Sequence, residues 1–406
     1  MIVQRWIVST IAVGLIFGAN ALWQRSGKPF TRLAAQAQGQ TQAAPSFTSV
    51  WPQPLAIANF RSASISADNA FFVVVTSNKE SLTLRHQNGK KIWSISDPGA
   101  AQACVAAGGE SVISYAPLNP TRPTITIVRG AHADSVTRRT LDGAVWDVSM
   151  SQDGNTAAVV TGNHSLYLFT LRPTLSCRQW SLDGVGNSVK VNAKSQCVVA
   201  GTWDDSGIAC YNFKGETLWK YPKDTAQRRA VMNRLFDAQI SQDGQSIIGV
   251  SYSNIHHSDG VLYMWRRGGD GTPLWSYSLG GDTSRLRARI TADGHYVALT
   301  YVQNIVQGDR VVEQRQLVLL DNTGKEYLRS GGPVFFRPSL VSVAPDGSRI
   351  AVSMDENTLY NVNSKGRLFS PKRLISTIRN AEPSPDGALL LVYGSDGNLN
   401  LVRSFS

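Results

Sequence analysis

The chain is poor in the residues that do chemistry at protein sites. It has six histidines and four cysteines in 406 residues. No Cys-x-x-Cys, H-E-x-x-H, G-x-S-x-G or G-x-x-x-x-G-K-[ST] appears. The motif routes to a redox dithiol, a zincin, a nucleophile-elbow hydrolase and a P-loop enzyme are therefore closed. Charge is also sparse: 17% of residues are Asp, Glu, Lys or Arg, against about a quarter in an average domain. That argues against a helical bundle or a coiled coil. The 42% hydrophobic content is too high for wholesale disorder. Acids are missing from the first 45 residues, where Arg5, Arg25, Lys28 and Arg32 supply +4 of the net +11. The excess suits anionic surroundings such as a membrane surface or an acidic glycan, and is silent on fold.

That N-terminal stretch has an ordered layout. A short basic start (1–5) precedes an apolar run (6–17) and the small-residue sequence Gly18-Ala19-Asn20-Ala21. This is the three-part pattern of an export signal. Extended to Trp23 the run is about 18 residues, the lower limit for a membrane anchor. Both readings stand, as does neither. A second A-x-A site lies at Ala35-Gln36-Ala37, and a polar tether follows. The expected division is signal or anchor 1–21, tether 22–45, and one large domain 46–406. The expected location is exported and periplasmic, or membrane-anchored.

The rest is repetitive. An apolar residue, Ser/Thr, any residue, Asp and Gly recur at Ile65–Asn69 (with Asn in place of Gly), Met150–Gly154, Ile240–Gly244 and Ile290–Gly294. Looser copies lie at Val343–Gly347 and Pro383–Gly387, and degenerate ones at Val105–Gly109 and Val191–Ser195. Consecutive copies are about 40 to 53 residues apart, the length of a four-stranded propeller blade. Asp-Gly provides the positive φ of a tight hairpin. A β-rich run follows each copy. Later in each unit comes a second turn containing Gly, and then often a Trp: Trp93, Trp180, Trp219, Trp275. The unit reads strand, Asp-Gly, strand, loop, strand, x-Gly, strand.

Eight copies predict an all-β, eight-bladed β-propeller; seven blades result if one degenerate copy is a bulge. The last unit ends after three strands, and the segment 47–52, with Trp51, has the look of an orphan fourth strand. The two ends should therefore close one blade, which removes a free sheet edge.

The phrase Gly89-Lys90-Lys91-Ile92-Trp93, repeated at Gly215–Trp219, resembles the PQQ-like and WD40-like propeller superfamily over 46–406. It looks more PQQ-like than WD40-like. The family's quinone enzymes carry adjacent cysteines and calcium-binding carboxylates, which this sequence does not match, so no cofactor is implied. A closer analogue in kind is the non-enzymatic propeller of the outer-membrane β-barrel assembly machinery, although a lipobox cysteine is absent.

Two regions are candidates for function. In the innermost strands, the residues two before the Ser/Thr position are Ser64, Cys104, Ser149, Lys190, Gln239, Arg289, Ser342 and Glu382. Those four before include Asp147, Asp237 and Arg287. Period-two alternation should turn this polar row toward the axis. Asp147, Lys190, Asp237, Arg287, Arg289 and Glu382 are thus candidate channel ligands, with mutually satisfied charge as the alternative. The second region is a rim of long loops, 222–233, 252–260, 280–284 and 302–314, with Lys223, Arg228, Arg229, His256, His257 and Arg310. His256-His257 has no third ligand at metal-site spacing, so no metal is expected. No aromatic platform accompanies Arg228-Arg229, which disfavours nucleic acid. Cys197 and Cys210 fall on one expected hairpin, a candidate cross-strand disulfide or two buried thiols.

These features predict a monomeric, non-enzymatic, exported or membrane-anchored scaffold that binds a protein partner of the cell envelope. The alternative is a lyase or hydrolase acting on an anionic glycan or small molecule in the channel.

Overall fold

A computed structural model of the chain describes residues 47–405, except 122, 204–205, 225–233, 253–259, 281, 334–338, 345, 354–356 and 364–367. The expectations for the signal or anchor and the tether fall outside the described residues.

The described strands group into eight four-stranded antiparallel units. Blade one runs from Phe60–Ile65 through Lys91–Ile95, blade two from Gln102–Val105 through Ser135–Thr140, and blade three from Val145–Met150 through Ser176–Ser181. Blades four (Val185–Asn192 through Thr217–Tyr221) and five (Leu235–Ile240 through Trp275–Ser278) merge into one sheet through a single bridge, Trp203 to Leu235. Blade six spans Asp282–Ile290 through Glu326–Pro333, and blade seven Ser339–Val343 through Leu368–Arg373. Blade eight has Ile378–Pro383, Leu389–Gly394 and Asn398–Arg403. First strands touch in succession around the ring, and that of blade eight meets that of blade one.

The seam lies where the orphan strand was expected. Thr48 pairs with Arg403 and Ser49 with Val402, and the Val50 N–H donates to the Leu401 carbonyl at 2.9 Å. Trp51 is buried with Phe72, Leu389 and Leu401, apolar groups from the first and last blades. A second short strand, Leu55–Ala56, also pairs with Asn398–Arg403.

The repeated phrase folds as a side-chain clasp. In blade three the Ser151 hydroxyl donates to Asp153 Oδ1 at 2.6 Å and accepts the Thr156 N–H at 3.0 Å, and Asp153 also accepts the Asn155 N–H. The same pattern recurs around Ser66, Ser241, Thr291 and Ser384. Neighbouring clasps are tied together: Asp68 accepts the Gly108 N–H at 2.7 Å, and Asn69 Nδ2 donates to Asp386 across the seam at 2.7 Å. Burial opposes ionisation of Asp68, Asp153 and Asp293, but the donated hydrogen bonds outweigh it and hold all three below the usual carboxylate range.

The Trp and x-Gly elements also work between blades. The Trp51, Trp219 and Trp275 indoles donate to carbonyls in the following blade's second turn: Gln87, Arg267 at 3.0 Å and Asn322 at 2.9 Å. The turn glycine lies against the indole. Gly324 has φ +82°, and a Cβ there would come within 3.0 Å of the Trp275 ring. Positive φ and close approach both require glycine at this turn. Gly324→Ala should therefore destabilise the domain by about 1–3 kcal/mol, read as a lower midpoint in urea unfolding. An unchanged midpoint would show that the turn does not bear on the Trp.

Candidate functional site

First strands line the axis, and a recurrent irregularity aims their side chains. Register shifts fall between Phe60 and Ser62, Val145 and Asp147, Gly186 and Ser188, Leu340 and Ser342, and Ile378 and Asn380. In blade six the shift lies between Ser284 and Arg287. In blades one, three, four, six and eight the bulge sits just upstream of the residue four before the Ser/Thr position, so it adds twist there and leaves alternation undisturbed from that point to the turn; in blade seven it falls just after that residue, Leu340.

The polar row has two roles. Part of it sews successive first strands together. Ser62 Oγ donates to the Ala101 carbonyl at 2.8 Å, and Ser149 Oγ accepts the Val191 N–H at 3.1 Å. Ser188 Oγ accepts the Ala238 N–H at 2.8 Å and donates to the Phe236 carbonyl at 3.1 Å. Gln239 Nε2 reaches the Ala288 carbonyl at 2.6 Å, and Ser342 Oγ the Gly387 carbonyl at 2.9 Å. These residues are joints between blades.

The charged members are the remainder. Lys190 Nζ lies 2.8 Å from Asp147 Oδ2, which also accepts the Val189 N–H at 2.9 Å. This pair is deep yet wet: 32% of the Lys190 side chain and 21% of that of Asp147 are open to the channel. Burial disfavours the Lys190 charge, but Asp147 and Asp237 outweigh it and raise its pKa. Asp237, Arg287, Arg289 and Glu382 have no hydrogen bond or ion pair among the described residues. Burial raises the Asp237 pKa and Asp147 adds to it, while Lys190 and Arg289 pull it back. Burial likewise raises Glu382, against the pull of Arg289, Arg287 and Lys190. The structure thus brings all six sequence-predicted channel residues into one electrostatic cluster. Cys104 belongs to its edge: burial, then Asp147, pushes its thiol up to about 12.

The rim is placed in part. Arg228, Arg229, His256 and His257 lie outside the described residues. Lys223 turns onto blade five, where its ammonium meets Asp270 at 2.5 Å and Thr272 at 2.8 Å. The expected loop at 302–314 is instead β-structure. Tyr296–Gln307 and Arg310–Asp321 pair along their whole length around Gly308-Asp309. Strands before and after them pair only as far as Asn304 and Gln314. Among the described residues the tip is therefore a two-stranded ribbon without a third strand, with Arg310 exposed and Val311 66% exposed. Gly308 has φ +61°, as a two-residue hairpin turn needs.

Of the two readings of Cys197 and Cys210, the structure has the pair of thiols: both are free and fully buried. Cys197 sits opposite Asn212 and Cys210 opposite Val199, so the sulfurs meet on a diagonal rather than face to face. Their hydrogen bond lowers Cys197 and raises Cys210.

Sequence reasoning missed one cavity, about 480 Å³, on the outer wall between Trp180, Tyr211 and Leu218. It is larger than the channel cavity, but its charged residues are already paired: Lys220 with Asp183 and Lys223 with Asp270. The channel is the stronger site because four of its charges, Asp237, Arg287, Arg289 and Glu382, converge without direct partners among the described residues. Among the described residues, no group of three or more His, Cys, Asp or Glu is placed to hold a metal.

A carboxyl raised in the fold binds its proton more tightly folded than unfolded. Its contribution favours folding at low pH and is lost as pH rises through the unfolded and then the folded value. Asp237→Asn should therefore raise the melting temperature at neutral pH by about 1–3 °C and leave it unchanged in acid. Thermal melts across pH check this; a lower melting point at neutral pH would mean that the Asp237 charge supports the fold.

No family model matches the chain, and no curated protein matches it. Solved structures do. The Dos1 propeller superimposes with a TM-score of 0.62 at 12% identity, over 89% of this chain and 94% of that one. The C-terminal WD40 domain of Sif2 gives 0.60 at 12% identity, over 89% and 99%. A chain of Kuenenia stuttgartiensis hydrazine synthase gives 0.52 at 13%, over 75% and 96%. At this identity the likeness is one of fold, a β-propeller, and it does not extend to the PQQ-like detail of the Gly-x-x-Leu/Ile-Trp phrase.

Proposed function

We propose that the chain is a non-enzymatic, monomeric scaffold of the cell envelope that binds a protein partner through the rim carrying the blade-six ribbon. The projecting ribbon is the observation that carries this reading. Among the described residues no strand pairs with it beyond Asn304 on one edge and Gln314 on the other, so both edges of its tip offer backbone groups for pairing. A lone two-stranded ribbon is marginal in water. One that also displays Val311 and Arg310 suits strand addition or clamping by a partner. Radial repetition leaves only the short outer strands as sheet edges, which supports a monomer. Placement in the envelope rests on the basic start, apolar run and small-residue site of 1–21, and retention at a membrane or acidic glycan surface on the +11 charge.

A photo-crosslinker at Val311, activated in the cells that make the protein, should capture a protein partner. Replacing 305–312 with Asn-Gly should abolish capture by a crosslinker moved to Asn304, with the melting temperature unchanged. Equal capture by the shortened protein would dismiss the ribbon. Mass spectrometry of the mature N-terminus tests export separately. A start at Leu22 or Gln38 is expected for a cleaved signal and an intact Met1 in the membrane fraction for an anchor; intact Met1 in the soluble cytoplasmic fraction would refute envelope placement.

A further inference from the structure

Toward the face bearing the Asp-Gly turns, the axial channel opens into a cavity of about 300 Å³. Its polar wall comes from Ser64, Ser149, Lys190, Gln239, Arg289 and Glu382. We propose that this cavity binds a small hydroxylated anion of monosaccharide size, a sugar acid or a sugar phosphate, with Arg289 gripping the anionic group and Glu382 facing the hydroxyls.

The argument starts from which groups are already used. Gln239 Nε2 is bound to the Ala288 carbonyl, and the Lys190 ammonium to Asp147 and the Val189 carbonyl. Arg289 is left. Its guanidinium has no hydrogen bond or ion pair among the described residues, although Glu382 borders the same cavity. A planar fork of donors held open in a confined space matches a carboxylate or phosphate better than it matches scattered water. Lys190 adds positive potential, with two of its three N–H donors already spent on Asp147 and Val189. The Glu382 carboxyl is also unpaired, and burial favours its protonated form, which lessens its repulsion of an incoming anion. The same carboxyl can exchange hydrogen bonds with ligand hydroxyls in either protonation state.

The remaining wall fits the rest of such a ligand. The Ser64 hydroxyl has no partner among the described residues, and that of Ser149 accepts the Val191 N–H while its own proton stays available. Ile65, Ile240 and Ile290 supply apolar surface for the C–H face of a ring. The volume lies at the lower end of small-molecule pockets, which excludes an extended oligosaccharide within the cavity. This site is independent of the ribbon and of any partner bound there.

Calorimetric titration of the purified full chain tests the proposal with four probes: D-glucuronate, D-glucose 6-phosphate, D-glucose and inorganic phosphate. Saturable binding of glucuronate or glucose 6-phosphate at submillimolar concentration is expected, with glucose at least tenfold weaker. Which anion binds distinguishes the sugar-acid from the sugar-phosphate source. Arg289→Gln should weaken binding at least tenfold, and Glu382→Gln severalfold, in proteins whose circular dichroism matches wild type. If Arg289→Gln does not fold, Arg289→Lys serves in its place and should still lose severalfold through loss of the fork. The proposal is overturned if neither hydroxylated anion saturates, if glucose binds equally well, if inorganic phosphate alone binds, or if the Arg289 variants bind as wild type.

Discussion

The pairing of Thr48–Ser49 with Arg403 and Val402 is the constraint on which the other sheets depend. Each blade is a sheet apolar on both faces, so each must be covered on both. Val73, Val75 and Leu84 face one neighbour of blade one, while Phe72 and Val74 face the other. Alternating burial of this kind has no solution in an open stack, whose end blades would each expose a core face to water. A ring removes both ends, and the N-terminal strand fastens it by completing the blade that the C-terminus leaves one strand short. The bond from Asn69 to Asp386 repeats this at the level of the turns.

Closure has a consequence at the axis. Bringing the first strands together confines their inward side chains in a narrow, wet space where isolated charge is poorly solvated. Most blades meet this with residues that spend their polar groups on the next strand: Ser62, Ser149, Ser188, Gln239 and Ser342. Asp237 of blade five, Arg287 and Arg289 of blade six and Glu382 of blade eight do not: among the described residues they bring charge without a direct partner, and the two acids are pushed away from their ionised forms. A serine at each place would satisfy the architecture, as Ser62, Ser149, Ser188 and Ser342 do elsewhere in the ring. The fold alone therefore does not account for the charged set.

Much of this was legible in the sequence because it is local or periodic. The Ser/Thr-x-Asp-Gly clasp closes over five residues, and Trp51 announced the seam because its spacing matched the other fourth-strand tryptophans. Alternation placed Lys190, Arg289 and Glu382 together. What was missed depends on register. The segment 302–314 reads as a polar loop, yet Gly308-Asp309 is a two-residue turn signal with β-forming residues on both sides, and pairing runs straight through it. Cys197 and Cys210 were expected face to face, but the hairpin register leaves them one diagonal step apart. The bulges before Asp147 and Ser188 leave no mark in composition, and the carbonyls that accept the tryptophan N–H bonds lie a whole blade away.

The two candidate sites also differ in what the fold asks of them. The ribbon extends a blade whose lower half already provides the packing, with Leu317 and Leu319 buried against Val343 and Val352 of the next blade. Its tip covers none of that core, so its length is free to follow a partner's shape. The channel charges are bound more tightly to the architecture, because the bulges that aim them also set the twist at which successive blades meet. A change of partner is therefore accessible through the ribbon with little structural consequence. A change of channel ligand is accessible only through side-chain identity at fixed positions, since the backbone there is held by the ring itself.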